Sequence, residues 1–205
     1  MGWKSSLADK KFRTELLVTV VFIVILFYYI PLFLTFIESR PGVVLPDPIL
    51  LLFNPVDVTW LTFIIIYLSV IVGLISFARE PKQILLAAQA YALLIIFRVG
   101  AMYLTPFAAP EKILPLDDPF VQSISSGTVL TKDLFFSGHT ATLFLIFLIE
   151  KNKWLKLLFL FLTIAVAFCV LIQQVHYSID VFAAPFFAYG SYKLLKLIKQ
   201  KLKLE

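Results

Sequence analysis

The chain has 205 residues, 60% of them hydrophobic and 21 of them phenylalanine, and its formal net charge is +5. A mean hydropathy of +0.94 excludes an ordinary soluble domain, and the basic excess needs no nucleic acid partner because lysines commonly flank membrane spans. The only cysteine, Cys169, excludes a disulfide within the chain and a site that needs several thiolates.

Six apolar stretches follow one another along the chain. A bilayer core of about 30 Å needs about 20 apolar residues per helix. The sequence therefore predicts one all-α domain over residues 1–205, a multi-pass membrane protein. Its six predicted transmembrane helices lie at about 16–37, 58–78, 83–104, 135–149, 155–175 and 181–198. The first stretch is too long for a cleavable signal peptide, so we expect it to stay as a span.

Basic residues predict the orientation of this bundle, because short loops rich in Lys and Arg stay in the cytoplasm. Both termini are accordingly expected in the cytoplasm, and the active site on the extracytoplasmic side, whether periplasmic, extracellular or lumenal. The predicted cytoplasmic set is Lys4, Lys10, Lys11, Arg13, Arg79, Lys82, Lys151, Lys153, Lys156, Lys193, Lys196, Lys199, Lys201 and Lys203, against Arg40, Lys112 and Lys132 outside.

The two histidines of the chain both fall at the predicted outer face, each beside small polar residues. In "HYSID", His176 and Asp180 share a helical face, so the carboxylate can accept the imidazole N–H and raise the basicity of the other nitrogen. In "SGHT", Ser137 and Gly138 at a helix start suit a phosphate group, and His139 could protonate a leaving oxygen. Each signal alone is weak, since a structural histidine and a plain serine cap explain them as well.

Arg98 lies inside the third predicted span, where a charge is costly and usually marks a functional site. A guanidinium group matches phosphate oxygens in a bidentate manner, which favours a phosphate ligand. The alternative is that the side chain extends to the outer interface and has no ligand.

Four sequence blocks together resemble the sphingomyelin synthase branch of the type 2 phosphatidic acid phosphatase (PAP2) superfamily. "LPDP" at 45–48 is similar to the first block of that branch, and "FRVGAMYLT" at 97–105 to its R-x3-M-x2-T block. "DLFFSGHT" at 133–140 fits D-x3-S-G-H-T, and "HYSIDV" at 176–181 fits H-Y-[ST]-x-D-V.

Two differences from the superfamily stand out. Thr131 and Lys132 occupy the place where the branch usually has Cys-Gly. The K-x6-R-P and S-R-x5-H blocks of the phosphatases are not found in this sequence, which leaves Arg98 as the clear intramembrane cation. One cation suits a phosphodiester, with one negative charge, better than a phosphomonoester.

The resemblance implies an enzyme that moves a phospho-head group from a glycerophospholipid to a lipid alcohol such as ceramide or diacylglycerol, with no metal or other cofactor. It implies that His176 attacks phosphorus to form a phosphohistidine and that Asp180 orients His176. His139 would act as acid and then base. It further implies that Arg98, with Ser137 and Gly138, binds the phosphate group.

Further residues and other functions stay open. Two alternatives are a lipid phosphatase or phospholipase C-like hydrolase that uses the same residues and, less favoured, a non-catalytic lipid scrambler. The expected partners are a donor and an acceptor lipid, and a homo-oligomer is not excluded. Candidates for head-group or loop contacts are Asp47, Asp133 and Tyr177. Candidates for binding a choline- or ethanolamine-type ammonium group are Asp47, Asp117 and Asp118, with a solvated loop as the alternative.

Overall fold

A computed structural model describes residues 2–116 and 130–202, and all of the regular elements in these ranges are helices. The predicted all-helical class is confirmed. The α-helices are α1 (Trp3–Ala8), α2 (Lys10–Ser39), α3 (Thr59–Ala78), α4 (Pro81–Leu104), α5 (Gly138–Ile149), α6 (Lys153–Ile172) and α7 (Ser178–Lys201), with a short 3-10 helix at Leu50–Leu52.

Four of these helices, α2, α3, α4 and α6, are long and apolar enough to cross a membrane. Large apolar side chains such as Trp60, Leu157 and Phe161 are exposed on them, as expected of a surface in contact with lipid rather than water. The chain is an integral membrane protein. The prediction of six spans also requires α5 and α7 to cross, and it stays a prediction.

The helix α5 is shorter than the predicted span 135–149. It begins at Gly138 because Ser137 is its N-cap, with the Ser137 side chain accepting from the backbone N–H of Thr140. Its 12 residues extend only about 18 Å, less than the bilayer core. The residues before it, Leu134 and Phe136, are buried although they are not helical.

The core of the bundle is formed around α5, which packs against α3, α4, α6 and α7. Small residues make this close packing possible, since Ala90 in α4, Ala141 in α5 and Ala184 and Ala188 in α7 are all completely buried. The central position of α5 holds its first turn, with the SGHT motif, against both α4 and α7.

At one end of the bundle, the segments that carry most of the basic residues contact one another. The Gln83 side chain donates to the Ile149 carbonyl over 3.2 Å, and Lys151 forms an exposed ion pair with Glu80. Lys199 of α7 lies 2.9 Å from the Glu15 carboxylate of α2. We call this the basic end.

The predicted orientation can be tested with single cysteines in a Cys169→Ala background. The two exposed positions Glu111 and Lys153 lie in loops that the prediction assigns to opposite sides of the membrane. We expect an impermeant maleimide added to intact cells to label Glu111→Cys, and to label Lys153→Cys only after lysis. Labelling of Lys153→Cys in intact cells would reverse the assigned orientation.

Candidate active site

The two histidine-bearing segments meet at the end of the bundle opposite to the basic end. The backbone N–H of Ser137 donates to the carbonyl of Asp180 over 3.1 Å. Since α5 begins at Gly138 and α7 at Ser178, this bond holds two helix N-termini side by side. The structure thus brings together the two motifs that the sequence places far apart.

His176 and Asp180 form a buried pair at the start of α7. His176 is 4% exposed and Asp180 is completely buried, and Nδ1 of His176 lies 3.3 Å from Oδ2 of Asp180. The same Oδ2 accepts the backbone N–H of Tyr177 over 3.1 Å. Because an ionised carboxylate only accepts hydrogen bonds, the proton of a neutral His176 lies on Nδ1 and the lone pair on Nε2.

The electrostatic surroundings favour a neutral His176. Burial lowers the pKa of this imidazole, and the effect outweighs the hydrogen bond and charge of Asp180, which raise the pKa. Arg98 and His139 lower the pKa of His176 further through their charges, so both act on this imidazole electrostatically. A neutral imidazole near pH 7 has the free electron pair that a nucleophile needs.

Arg98 is held against the first residue of α5. Its Nη2 donates to Oδ1 of Asp133 over 2.7 Å and to the Asp133 carbonyl over 3.2 Å. A Cβ atom at Gly138 would lie 1.4 Å from Nη1 of Arg98, so the guanidinium group occupies the space that any other side chain at position 138 would need. Any side chain at position 138 would therefore have to displace the guanidinium group.

The first turn of α5 carries Ser137, Gly138 and His139. Ser137 is completely buried, and its hydroxyl lies 3.1 Å from Oγ1 of Thr140 as part of the helix cap. Gly138 and His139 are half-buried and lie in the turn whose N–H groups have no carbonyl partner within the helix. Together with Arg98, this turn forms a site with the electrostatics of an anion-binding helix start.

Asp47 and Tyr177 hold the loops that lie over this face. Oδ2 of Asp47 accepts the backbone N–H of Ser178 over 2.6 Å, and Oδ1 accepts that of Ile49 over 3.0 Å. Burial raises the pKa of Asp47, but the hydrogen bonds to its carboxylate outweigh this effect and the pKa is lowered. The Tyr177 hydroxyl donates to the Ala108 carbonyl and accepts from the backbone N–H of Leu45.

Two buried amides that the sequence analysis did not select also hold these loops. Gln174 donates to the carbonyls of Leu50 and Phe53 over 3.0 and 3.1 Å, with its backbone in the left-handed region at φ 55°. Gln173 donates to the Thr59 hydroxyl over 2.7 Å. The sequence signal that could have identified them is a pair of adjacent glutamines at the end of an otherwise apolar run.

The structure describes only one of the three remaining predicted aspartates. Asp133 binds Arg98 and is one third exposed, at 32% of its side chain, whereas Asp117 and Asp118 lie outside the described residues. Within residues 2–116 and 130–202, no group of three or more His, Cys, Asp and Glu side chains is placed to hold a metal ion. A cleft of about 190 Å³ lies at the basic end, remote from both histidines, and includes Lys82, Lys196 and Lys199 in its lining.

Comparison with known proteins bears on the same segment. Residues 132–196 match the family model described as PAP2 superfamily C-terminal, a range that includes both histidines and Asp180. The predicted resemblance is confirmed. The chain is also similar to phosphatidylcholine:ceramide cholinephosphotransferase 2 of Homo sapiens and of Macaca fascicularis, with 30% identity over 115 residues in each case. The match covers 44% of this chain and 32% of each relative, so the chain spans about a third of their length.

The contact between Arg98 and Gly138 predicts a large effect of one methyl group. Gly138→Ala should displace the guanidinium group and, in the enzymatic role proposed below, lower turnover by about 10²–10³-fold, the usual cost of losing one anion-stabilising donor. The matched control is Gly100→Ala in α4, where an added Cβ has nothing within 4 Å and a better helix former replaces glycine. Turnover and melting temperature of both purified variants check this, and equal activity of the two would contradict it.

Proposed function

We propose that this PAP2-like chain is a membrane-integral phospholipid head-group phosphotransferase. It would move a phospho-head group from a glycerophospholipid to a lipid alcohol of the ceramide or diacylglycerol type. The observation that carries the proposal is the joining of a buried His176–Asp180 pair to the first turn of α5, where Arg98 lies on Gly138. The similarity to phosphatidylcholine:ceramide cholinephosphotransferase 2 supports the choice of substrate class.

In the first step, Nε2 of His176 attacks phosphorus and the bond from phosphorus to the diacylglycerol oxygen breaks. Asp180 keeps the proton on Nδ1 and stabilises the positive charge that forms on the imidazole. His139, in the protonated state, gives its proton to the departing oxygen. The products of this step are diacylglycerol and a phosphohistidine that carries the head group.

In the second step, the hydroxyl of the acceptor lipid gives its proton to His139 and attacks phosphorus. The bond between phosphorus and Nε2 of His176 then breaks, and both histidines return to their starting states. Arg98 and the N–H groups of the first turn of α5 would bind the phosphoryl oxygens in both steps. With water in place of the acceptor, the same residues would perform hydrolysis.

Placement in the membrane follows from the same proposal. The proposed catalytic face lies opposite to the basic end. If the basic end is cytoplasmic, as the positive-inside rule predicts, the proposed active site would face the extracytoplasmic leaflet. The donor and the acceptor would then both be lipids of that leaflet.

Transfer and hydrolysis give different products from one assay. Purified protein in vesicles receives a phosphatidylcholine or phosphatidylethanolamine labelled in its head group, with and without ceramide or diacylglycerol. We expect label in the acceptor lipid, formed only when acceptor is present, and none with His176→Ala. Release of water-soluble phospho-head group without labelled acceptor would show hydrolysis, and turnover by His176→Ala would remove the enzymatic role altogether.

The division of labour between the histidines predicts selective rescue. His176→Ala should abolish turnover and covalent labelling, whereas His139→Ala should slow leaving-group departure by about 10²–10⁴-fold, the usual contribution of general acid–base catalysis. A nitrophenyl phosphodiester needs no proton on its leaving group, so it should restore much of the rate of His139→Ala and none of that of His176→Ala. Stopped-flow release of nitrophenolate measures this, and equal rescue of both variants would contradict the assigned roles.

A further inference from the structure

Glu38, near the end of α2, binds the segment that leads into Asp133. Its Oε2 accepts the backbone N–H groups of Thr131 and Lys132, each over 2.9 Å, and its Oε1 accepts the Thr131 hydroxyl over 2.6 Å. One carboxylate therefore accepts three hydrogen bonds from two consecutive residues. Bonds to an ionised acceptor are shorter and stronger than bonds between neutral groups.

Lys132 donates hydrogen bonds back to the end of α2. Its Nζ donates to the carbonyl of Glu38 over 2.7 Å and to the carbonyl of Arg40 over 2.6 Å. Carbonyls at a helix C-terminus lack partners within the helix, and a lysine near them satisfies this need. We call this set of contacts between the end of α2 and Thr131–Lys132 the Glu38 clamp.

The end of α2 is itself fixed to α4, the helix that carries Arg98. Nη1 of Arg40 donates to the Tyr103 carbonyl over 3.0 Å, and the Arg40 guanidinium lies 5.1 Å from the centre of the Tyr103 ring. The clamp is therefore connected to both members of the Arg98–Asp133 ion pair, to Asp133 through the adjacent Lys132 and to Arg98 through α4.

We propose that Glu38 is a positioning residue for the phosphate-binding guanidinium group of Arg98. By fixing Thr131 and Lys132, it sets the place of Asp133, and Asp133 in turn holds Arg98 on Gly138 in front of the helix N-terminus. The inference rests on the proposed function, because it assigns to Arg98 the binding of a phosphoryl group. Glu38 itself touches neither histidine in the contacts described, so its effect is indirect.

The negative charge of Glu38 makes Glu38→Gln an informative change. Glutamine has nearly the shape of glutamate, its oxygen can still accept both backbone N–H groups, and the Thr131 hydroxyl can turn to accept from its nitrogen. The contacts then lose the charge of the acceptor, and bonds to a neutral acceptor are about half as strong as bonds to an ionised one. The matched control is Glu80→Gln, which removes an ion-paired glutamate at the basic end, remote from the site.

The first measurement reads the clamp without reference to activity. Hydrogen exchange of the full chain in detergent or nanodiscs, followed by mass spectrometry of the peptide that contains residues 131 and 132, should be at least 10-fold faster in Glu38→Gln. Glu80→Gln should leave it unchanged. Unchanged exchange in Glu38→Gln would overturn the clamp, whatever the protein catalyses.

The second measurement reads the effect on Arg98. Glu38→Gln should lower kcat about 10–100-fold, the range seen when a group that orients a ligand is removed, with an unchanged melting temperature. On an Arg98→Lys background the same change should cost less than about twofold, because the group that Glu38 positions is already gone. Glu38→Asp should not restore the rate, because its carboxylate is one methylene too short for both amides.

The outcomes separate this inference from the proposed function. If the wild type and His176→Ala are equally inactive on every phospholipid offered, the proposed function fails and hydrogen exchange alone judges the clamp. If the wild type is active and Glu38→Gln loses the same factor on both backgrounds, Glu38 acts independently of Arg98 and the positioning role is wrong. Loss of kcat only together with a lowered melting temperature would likewise overturn it.

Discussion

The hydrogen bond from Ser137 to the Asp180 carbonyl holds the starts of α5 and α7 together, and the site depends on this arrangement. Both helices run away from the same point, so the positive ends of two helix dipoles lie next to each other and beside Arg98. Asp180, in the first turn of α7, offsets part of this positive potential. The remainder favours an anion beside the two helix starts.

The polar side chains at this end of the bundle serve two different purposes. Arg98 and His139 act electrostatically on His176, the proposed nucleophile, whereas Asp47 and Tyr177 satisfy backbone groups of the loops above α7. An unpaired backbone group in an apolar environment costs several kcal/mol, so a loop at the membrane surface needs such partners. The two purposes meet at residues 176–178, where the proposed nucleophile and the loop contacts are adjacent in sequence.

Sequence reasoning predicted the helical class and the placement of both histidines at one end of the bundle, because apolar length and chain direction depend on local composition. It could not predict which polar residues would touch. Arg98 and Gly138 each had a proposed role, but their contact depends on the packing of α4 on α5. Glu38 was not selected at all, because 93 residues separate it from Thr131 and nothing in its neighbourhood marks it. Its partners are the two residues at which the third block differs from the usual pattern.

The 12 residues of α5 also bear on the depth at which the proposed reaction would take place. With the basic end at one interface, a helix of about 18 Å leaves His139 well below the opposite interface of a hydrocarbon core of about 30 Å. In the proposed reaction, a donor lipid would have to lower its phosphate to this depth, or the bilayer would have to become thinner around it. An acceptor lipid would reach the same depth by lateral diffusion in the bilayer, whereas water would have to leave the aqueous phase. Under the proposed function, the length of α5 would therefore favour transfer between lipids over hydrolysis.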